Sequence, residues 1–282
     1  MKELFVRASE YHFKISPFTS NNSGTSTAAG ISTRHGGVSS SPYHALNLGL
    51  HVGDCTEDVV ENRHRLAKEV GIPLSRWVFG EQVHAATIHK VTARDCGKGS
   101  KSCETGIMGV DGFYTRESKL VLAAAFADCV PLFFSTKQTS LIGIAHAGWK
   151  GTVSQIGSKM VNMWVVDEKM RVEDIEVVIG PSIQACCYEV DDRVISKVNE
   201  VLHPGDPLPY TINQNGTYQL NLQQLNKLIL IKAGVLSEKI QVSSRCTSCQ
   251  VDNFFSHRKE NGKTGRMLAF IANHKGEGDV TI

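Results

Sequence analysis

The sequence predicts an α/β or α+β protein built around a sizeable mixed β-sheet. Three observations point to this class: short apolar runs of strand length, segments with helical periodicity, and the alternation of the two along the chain. No fixed-period repeat, low-complexity tract or linker interrupts that order. We therefore expect residues 1–282 to form one domain.

Two of the predicted strands end at chemically reactive side chains. Val121–Ala127 runs into Asp128 and Cys129, and Ser140–Ala145 runs into His146. Further strands are predicted at Ile175–Ile179, Ile240–Ser243 and Met267–Ile271. The reactive residues are thus expected at strand ends, where a sheet can present them together.

Helical patterns occur between these runs. Thr56–Val70 is expected to be a helix that Gly71 and Pro73 terminate. A second helix is predicted with Thr152 as its N-cap, and a third is expected to end near Gly234. The second has an apolar face formed by Val153, Ile156, Met160, Val161 and Trp164, and the third by Leu222, Leu225, Leu228 and Ile229. Residues 17–30 are rich in polar and turn-forming residues and are expected to be a loop.

Composition excludes several classes of protein. Hydrophobic residues make up 41% of the chain and the net charge is +2, so disorder and a general affinity for nucleic acid are both disfavoured. The apolar run before Asp128 is far shorter than the roughly 20 residues of a membrane span, and residues 1–16 lack a signal-peptide core. We expect a cytoplasmic protein without a membrane or nucleic-acid partner. Composition leaves a monomer and a weak oligomer both open.

The eight cysteines are expected to be reduced, because the chain is large and lacks an export signal. Cys246 and Cys249 form a C-x-x-C pair, but no second pair follows at zinc-finger spacing. We therefore expect this pair to be buried free thiols. The adjacent Cys186 and Cys187 are expected to be core residues.

Three short motifs carry the strongest candidate chemistry: Gln82-Val83-His84, Ala127-Asp128-Cys129, and the stretch that begins Ala145-His146-Ala147-Gly148. Two imidazoles and one thiolate can hold a zinc ion and leave its fourth tetrahedral position open, as in catalytic zinc sites. Such a site makes hydroxide available at neutral pH. Spacing alone also allows a buried cysteine and two core histidines.

The motifs as a set resemble the laccase-domain family, also called YfiH-type proteins. The resemblance is closest to the bacterial YlmD branch and covers about residues 31–272. It rests on STRHGG, QVH, LAAAFADCVPLFF, AHAGWKGT, IGPSIQACCYEV and RCTSC…FFSHRK…TGRMLAFI, in this order. It implies that His84, Cys129 and His146 are the metal ligands.

The resemblance also implies a fold and activities. The fold is a layered α/β/β/α arrangement similar to the catalytic domain of cytotoxic necrotizing factor. The activities are phosphorolysis of adenosine, inosine, guanosine and S-methyl-5′-thioadenosine, and deamination of adenosine, with zinc as the expected metal. Older descriptions of the family name copper-dependent polyphenol oxidases, and a role in editing peptidoglycan precursors has been proposed for some relatives.

Several polar residues are candidates for the chemistry around this metal. Asp128 either shuttles protons during deamination or hydrogen-bonds a ligand histidine. Arg34, which the resemblance brings into the site, and His35 precede two glycines and are candidates for binding phosphate.

Lys150 lies at a predicted helix start, where an anion is favoured. Arg258 is expected either to face substrate or to brace its own loop. Gln82, in the first ligand motif, is a further candidate for binding substrate.

Three other functions remain open. Copper also suits two histidines and a cysteine, although the chain has no His-x-His pair of the kind that builds a trinuclear copper cluster. A metal-free cysteine hydrolase would use Cys129 as the nucleophile and His146 or His84 as the base. A non-catalytic binding protein is disfavoured because the reactive residues concentrate at predicted strand ends.

Overall fold

The computed structural model describes residues 3–15 and 25–275. The strands are, in chain order, β1 (Phe5–Arg7), β2 (His12–Ile15), β3 (Thr25–Ser32), β4 (Trp77–Val78), β5 (Ile88–Lys90), β6 (Gly112–Thr115), β7 (Val121–Phe126), β8 (Val130–Thr136), β9 (Ile142–Ala147), β10 (Ile175–Ile179), β11 (Glu189–Val190), β12 (Tyr210–Ile212), β13 (Tyr218–Leu220), β14 (Ile240–Val242) and β15 (Met267–Lys275). The α-helices are α1 (Thr56–Val70), α2 (Trp149–Val153), α3 (Ile156–Val166), α4 (Asp192–Val201) and α5 (Leu222–Lys232).

Two six-stranded sheets form the centre of the fold. The first has the order β1-β2-β3-β15-β7-β4, and the second has the order β14-β10-β8-β9-β6-β5. Both sheets are mixed, because β4 pairs parallel with β7, β5 with β6, and β10 with β14, while the remaining pairs are antiparallel. Strands β11, β13 and β12 form a small separate sheet. The predicted mixed α/β class is confirmed.

The hydrophobic core is layered. Phe126 of the first sheet and Phe133 of the second are fully buried in the cluster between the sheets. Leu66 of α1 packs with Phe270 on the outer face of the first sheet. The outer face of the second sheet is covered by α3, α4 and α5, with Trp164 fully buried among them. Helices therefore flank both sheets, as the α/β/β/α expectation required.

The segment after β9 differs from the sequence prediction. Thr152 is not an N-cap: it lies inside α2, buried, and its hydroxyl accepts a hydrogen bond from Asn226 Nδ2 (2.9 Å). Gln155 then adopts the left-handed conformation with φ of 59° and separates α2 from α3. The segment predicted as one helix that starts at Thr152 is therefore two helices. The contact of Thr152 with Asn226 and the left-handed Gln155 account for the difference.

Two other predictions need correction. Residues 25–30 of the predicted loop belong to β3, because β15 supplies hydrogen-bonding partners along its whole length. Residues 17–24 lie outside the described residues. The expected burial of the cysteine pairs is also wrong, because Cys186 and Cys249 are exposed and only Cys246 of the four is buried.

The helix at Thr56–Val70 is confirmed, with Gly71 in the left-handed conformation at its C-terminus. Among the described residues, no helix is both long and apolar enough to cross a membrane.

Candidate metal centre

The three predicted ligands converge at the edge where the two large sheets meet. Cys129 lies in the turn that carries the chain from β7 of the first sheet to β8 of the second, and His146 belongs to β9. His84 lies in the loop between β4 and β5, with a positive φ of 58°. One ligand atom from each residue lies within 4.8 Å of the other two. A single metal ion can therefore be held by all three.

The site is closed on one side and open on the other. His146 is buried, Cys129 is half-buried and His84 is exposed. The two imidazole rings meet nearly edge to face, with 4.8 Å between their centroids and an angle of 80° between their planes. An ion held there would have the protein interior on the His146 side and solvent on the His84 side.

Asp111, which belongs to none of the sequence motifs, orients two of the three ligands. Its Oδ1 accepts a hydrogen bond from His146 Nδ1 (2.9 Å), which leaves Nε2 of that ring for a metal. The same carboxylate accepts from the backbone amides of Val83 (3.2 Å), His84 (3.1 Å) and Ala85 (2.8 Å). Asp111 therefore holds the His84 loop and fixes the His146 ring together.

Sheet register explains why Asp111 reaches these groups. It directly precedes β6, where Gly112 lies opposite Ala145 of β9, so it falls beside His146. The only hint in the sequence is its position before the buried Gly112–Thr115 segment.

The charges in this cluster depend on one another. Burial works to raise the pKa of Asp111, but hydrogen bonds from His146 and the loop amides bring it below its usual range. Burial likewise opposes ionisation of Cys129, but the His146 and His84 imidazoles lower the pKa of this thiol to about 6. Burial lowers the pKa of His146, yet Cys129 and Asp111 outweigh it and raise the pKa to about 9. Without a metal, the cluster therefore favours a thiolate beside an imidazolium.

Gly148 is required by the closeness of the ligands. A Cβ atom at this position would lie 3.0 Å from Cys129 Sγ and 3.2 Å from His84 Cδ2. Any larger residue would push against the sulfur and the ring of two candidate ligands. This explains the glycine in the His146-Ala147-Gly148-Trp149 stretch.

The centre opens into a cavity of about 500 Å³. Its walls combine a metal-ligand edge, an apolar and aromatic side, and several basic groups. The lining includes His51, Gln82, His84, Cys129, His146, Trp149, Lys150, Ile183, Tyr188, Leu222, His257, Arg258 and Arg266. A cavity of this size and mixed character suits a small, partly aromatic and partly anionic ligand.

Three of the predicted substrate-binding residues line this cavity. Lys150 is exposed on its rim. Arg258 also lines it, while its Nη1 donates to the Glu189 carbonyl (2.8 Å). Gln82 lines it too, but its amide group is engaged by both backbone groups of Ala125 (2.9 and 2.7 Å).

Arg34 and His35 are not among the described residues that line the cavity. The Arg34 guanidinium is held by Glu260 (3.0 Å) and by the carbonyls of Val251 and His44, and it lies over the Phe255 ring. These contacts brace the N-terminal strand region against the C-terminal loop. The expected phosphate contact of this pair is therefore not supported by its position.

Arg266, which was not among the residues predicted from the sequence, lines the cavity instead. It lies in the Thr264-Gly265-Arg266-Met267 stretch, and its Nη1 donates to the carbonyls of Thr264 and Gly265. His51 lies near it, and burial together with the Arg266 charge lowers the pKa of this imidazole to about 4. Near neutral pH the cavity thus has cationic Arg266 beside a neutral His51.

Asp128 lines the cavity, as expected for a proton shuttle, but it does not make the alternative contact, a hydrogen bond to a ligand histidine. Its Oδ1 accepts from Thr247 Oγ1 (2.6 Å), and its Oδ2 accepts from Ser256 Oγ (3.0 Å) and the Arg258 amide (2.7 Å). The hydrogen bond to a ligand histidine belongs to Asp111. Asp128 has a φ of 84°, so its strained turn and its three donors together fix the position of Cys129.

The fold and site define this protein as a layered α/β protein with a three-ligand centre able to bind one metal ion in a cavity. The chain belongs to the family described as multi-copper polyphenol oxidoreductase laccase, whose model matches residues 28–274.

Two bacterial proteins are similar to this chain over most of their length. The chain is 51% identical to the purine nucleoside phosphorylase YlmD of Geobacillus stearothermophilus, over 86% of this chain and 89% of that protein. It is 47% identical to the purine nucleoside phosphorylase YlmD of Bacillus subtilis, over 89% of this chain and 90% of that one. The crystal structure of the Geobacillus stearothermophilus YlmD superimposes with a TM-score of 0.93 and 46% identity, covering 97% of this chain and 100% of that one.

Proposed function

We propose that this chain is a zinc-dependent purine nucleoside phosphorylase. Its substrates would be adenosine, inosine, guanosine and S-methyl-5′-thioadenosine, and it would also deaminate adenosine. The observation that carries the proposal is the His84–Cys129–His146 cluster, which opens into a cavity with both aromatic and cationic walls. The names of the Geobacillus and Bacillus relatives support the phosphorylase activity.

The donor set fits zinc. Two imidazole nitrogens and one thiolate are ligands that zinc prefers, and the carboxylate behind His146 is the usual outer partner of a zinc-bound histidine. Zinc bound by His84, Cys129 and His146 would supply Lewis-acid chemistry at one open coordination position. Asp111 would keep the histidine in the tautomer that directs Nε2 to the ion.

The cavity walls suggest how the two substrates are held. We infer that the purine stacks against Trp149 or Tyr188, with Leu222 completing an apolar surface. Arg266 and Lys150 would hold the phosphate, because they are cationic donors facing the same space. This assignment replaces Arg34, whose guanidinium is engaged elsewhere.

In the proposed phosphorolysis, a phosphate oxygen forms a bond to C1′ of the ribose as the bond from C1′ to the purine nitrogen breaks. The purine leaves with the bonding electrons and takes up a proton, which gives a free base and ribose 1-phosphate. Arg266 and Lys150 would keep the attacking phosphate against the sugar, and the aromatic wall would keep the base in place. Asp128 is assigned a positioning role, because its carboxylate accepts three hydrogen bonds within the protein.

The test is chromatography of the zinc-loaded protein incubated with adenosine and phosphate. We expect adenine, ribose 1-phosphate and some inosine, and we expect Cys129→Ala to abolish all three because it removes a ligand. Cys55→Ser is the matched control, since Cys55 is an exposed thiol outside the cavity and its loss should leave the products unchanged. Unchanged adenosine with fully zinc-loaded protein would refute the proposal.

One observation favours a second candidate, a cysteine hydrolase. Cys129, His146 and Asp111 form a thiol–imidazole–carboxylate series, and their mutual effects favour a thiolate and an imidazolium. The two functions differ in their response to chelation: the zinc enzyme loses activity when metal is removed and regains it when zinc is added. A hydrolase would stay active without metal and be inactivated by thiol alkylation. Oxygen uptake by copper-loaded protein tests the laccase activity in the same series.

A further inference from the structure

A second group of metal-binding side chains lies outside the cavity. We call it the cysteine cluster, and it consists of Cys186, Cys187, Cys246 and Cys249. The four sulfur atoms all lie within 4.8 Å of one another, although the two pairs are far apart in sequence. We propose that the cysteine cluster binds a structural zinc ion.

The distances match one ion shared by four sulfurs. Cys249 Sγ lies 3.5 Å from Cys186 Sγ and 3.3 Å from Cys187 Sγ. A tetrahedral zinc with zinc–sulfur bonds of about 2.3 Å places its sulfurs about 3.8 Å apart. A disulfide needs about 2.05 Å, so the thiols face one another without being bonded. The cluster therefore requires only small side-chain movements to surround an ion.

The chemistry of the group favours zinc over other occupants. Four thiolates form a closed set with no position for water, which is the arrangement of structural zinc sites. In an iron–sulfur cubane each thiolate binds a different iron, so its four cysteine sulfurs surround a larger volume than one ion. As zinc binds, each thiol gives up its proton to solvent and forms a sulfur–zinc bond, with no change in oxidation state.

Two of the four cysteines are accessible from solvent. Free cysteines are among the most buried residues, yet Cys186 and Cys249 are exposed at the mouth of the cluster. Exposed neighbouring thiols are prone to oxidation, and bound zinc would protect them. The cluster opens to solvent at Cys186 and Cys249 and is closed by buried Cys246, so an ion can enter it from solvent.

The backbone around the cluster is already joined. Ser182 forms an isolated parallel bridge with Cys246, and the Thr247 amide donates to the Ser182 carbonyl (3.0 Å). The Cys187 amide closes a turn on the Gln184 carbonyl (2.9 Å). Zinc would thus join two loops whose cysteines are held in place by the existing hydrogen bonds.

Residues next to the cluster contact the wall of the cavity beside the first centre. Thr247, between the two cysteines of the C-x-x-C pair, donates to Asp128 Oδ1 (2.6 Å), the residue before Cys129. Tyr188, which follows Cys187, lines the cavity wall, and Arg258 lies over its ring. Zinc in the cluster would therefore stabilise the wall and the turn that carries Cys129, without contacting substrate.

The experiment measures zinc per chain by mass spectrometry after purification under reducing conditions without added chelator. The Cys129→Ala protein carries the test, because it lacks a ligand of the other centre. We expect it to retain about one zinc ion per chain. Adding Cys186→Ser and Cys249→Ser should remove that ion, while adding Cys55→Ser and Cys103→Ser, two exposed cysteines outside the cluster, should not.

Cobalt supplies a readout that does not depend on the serine variants folding. Cobalt-loaded Cys129→Ala protein should show the intense sulfur-to-cobalt charge-transfer absorption of a tetrahedral four-thiolate site. The proposal is overturned if this protein binds no zinc or cobalt under reducing conditions. It is also overturned if the mass of freshly purified protein shows the loss of two hydrogens that a disulfide in the cluster would cause. Neither result depends on nucleoside activity, so the phosphorylase proposal stands or fails separately.

Discussion

Asp111 illustrates how one buried side chain can organise a centre to which it contributes no ligand. Its carboxylate accepts from three consecutive amides of the His84 loop and from His146 Nδ1, and it is almost completely buried. The positive φ of His84 is sustained by these amide contacts. The positions of the 83–85 backbone and of the His146 ring therefore depend on one group, the Asp111 carboxylate.

We predict that Asp111→Asn weakens zinc binding by about 10- to 100-fold, because an amide cannot accept from all of these donors. Competition against a chelator of known affinity measures the change. Asp252→Asn, at an exposed aspartate, should bind zinc as the natural protein does. An unchanged affinity in the Asp111 variant would show that its contacts do not hold the ligands in position.

The break between α2 and α3 is the clearest feature at the scale of elements. Gln155 has a φ of 59°, which a non-glycine residue adopts at a cost. The reversal allows α2 to follow directly from the His146–Gly148 segment while α3 packs on the second sheet. The turn thus links the ligand-bearing strand to the outer helix layer.

Gln155→Gly is expected to raise the free energy of unfolding by about 0.5–1 kcal/mol, because glycine adopts this conformation without a clash of its Cβ atom. Chemical denaturation measures the difference. Gln155→Ala keeps the Cβ atom and should give no such gain. Equal stability of the glycine variant and the natural protein would mean that the left-handed residue is not strained.

At the scale of the whole molecule, the two large sheets share one buried interface. The first sheet pairs β3, near the start of the chain, with β15, near its end, and one core cluster contains residues of both sheets. We propose on this basis that the chain is a single domain. Loss of either sheet would expose the aromatic side chains between them.

A single-domain chain should lose its two outer layers together on heating. Trp77 reports on the α1 side of the first sheet, and Trp164 reports on the α3 side of the second. Variants that keep only one of these tryptophans should show the same midpoint by fluorescence as by circular dichroism. Two separate midpoints in one variant would instead indicate two independently folding units.

The sequence by itself determined the class of fold, the helix at Thr56–Val70 and three candidate metal ligands that the fold brings together. These features were accessible because periodicity, a glycine stop and short motifs are local properties of the chain. The spacing of His84, Cys129 and His146 alone also allowed core residues, and it was the resemblance of the motifs as a set to a known family that marked the three as metal ligands.

Only the tertiary structure decided which other groups join them. Asp111 reaches His146 through strand register, Arg266 lines the cavity that Arg34 does not reach, and Cys186 meets Cys249 across two loops. Each of these outcomes depends on contacts between segments far apart in the chain. Local sequence patterns contain no information on such contacts, so the surroundings of the centre became visible only in the folded molecule.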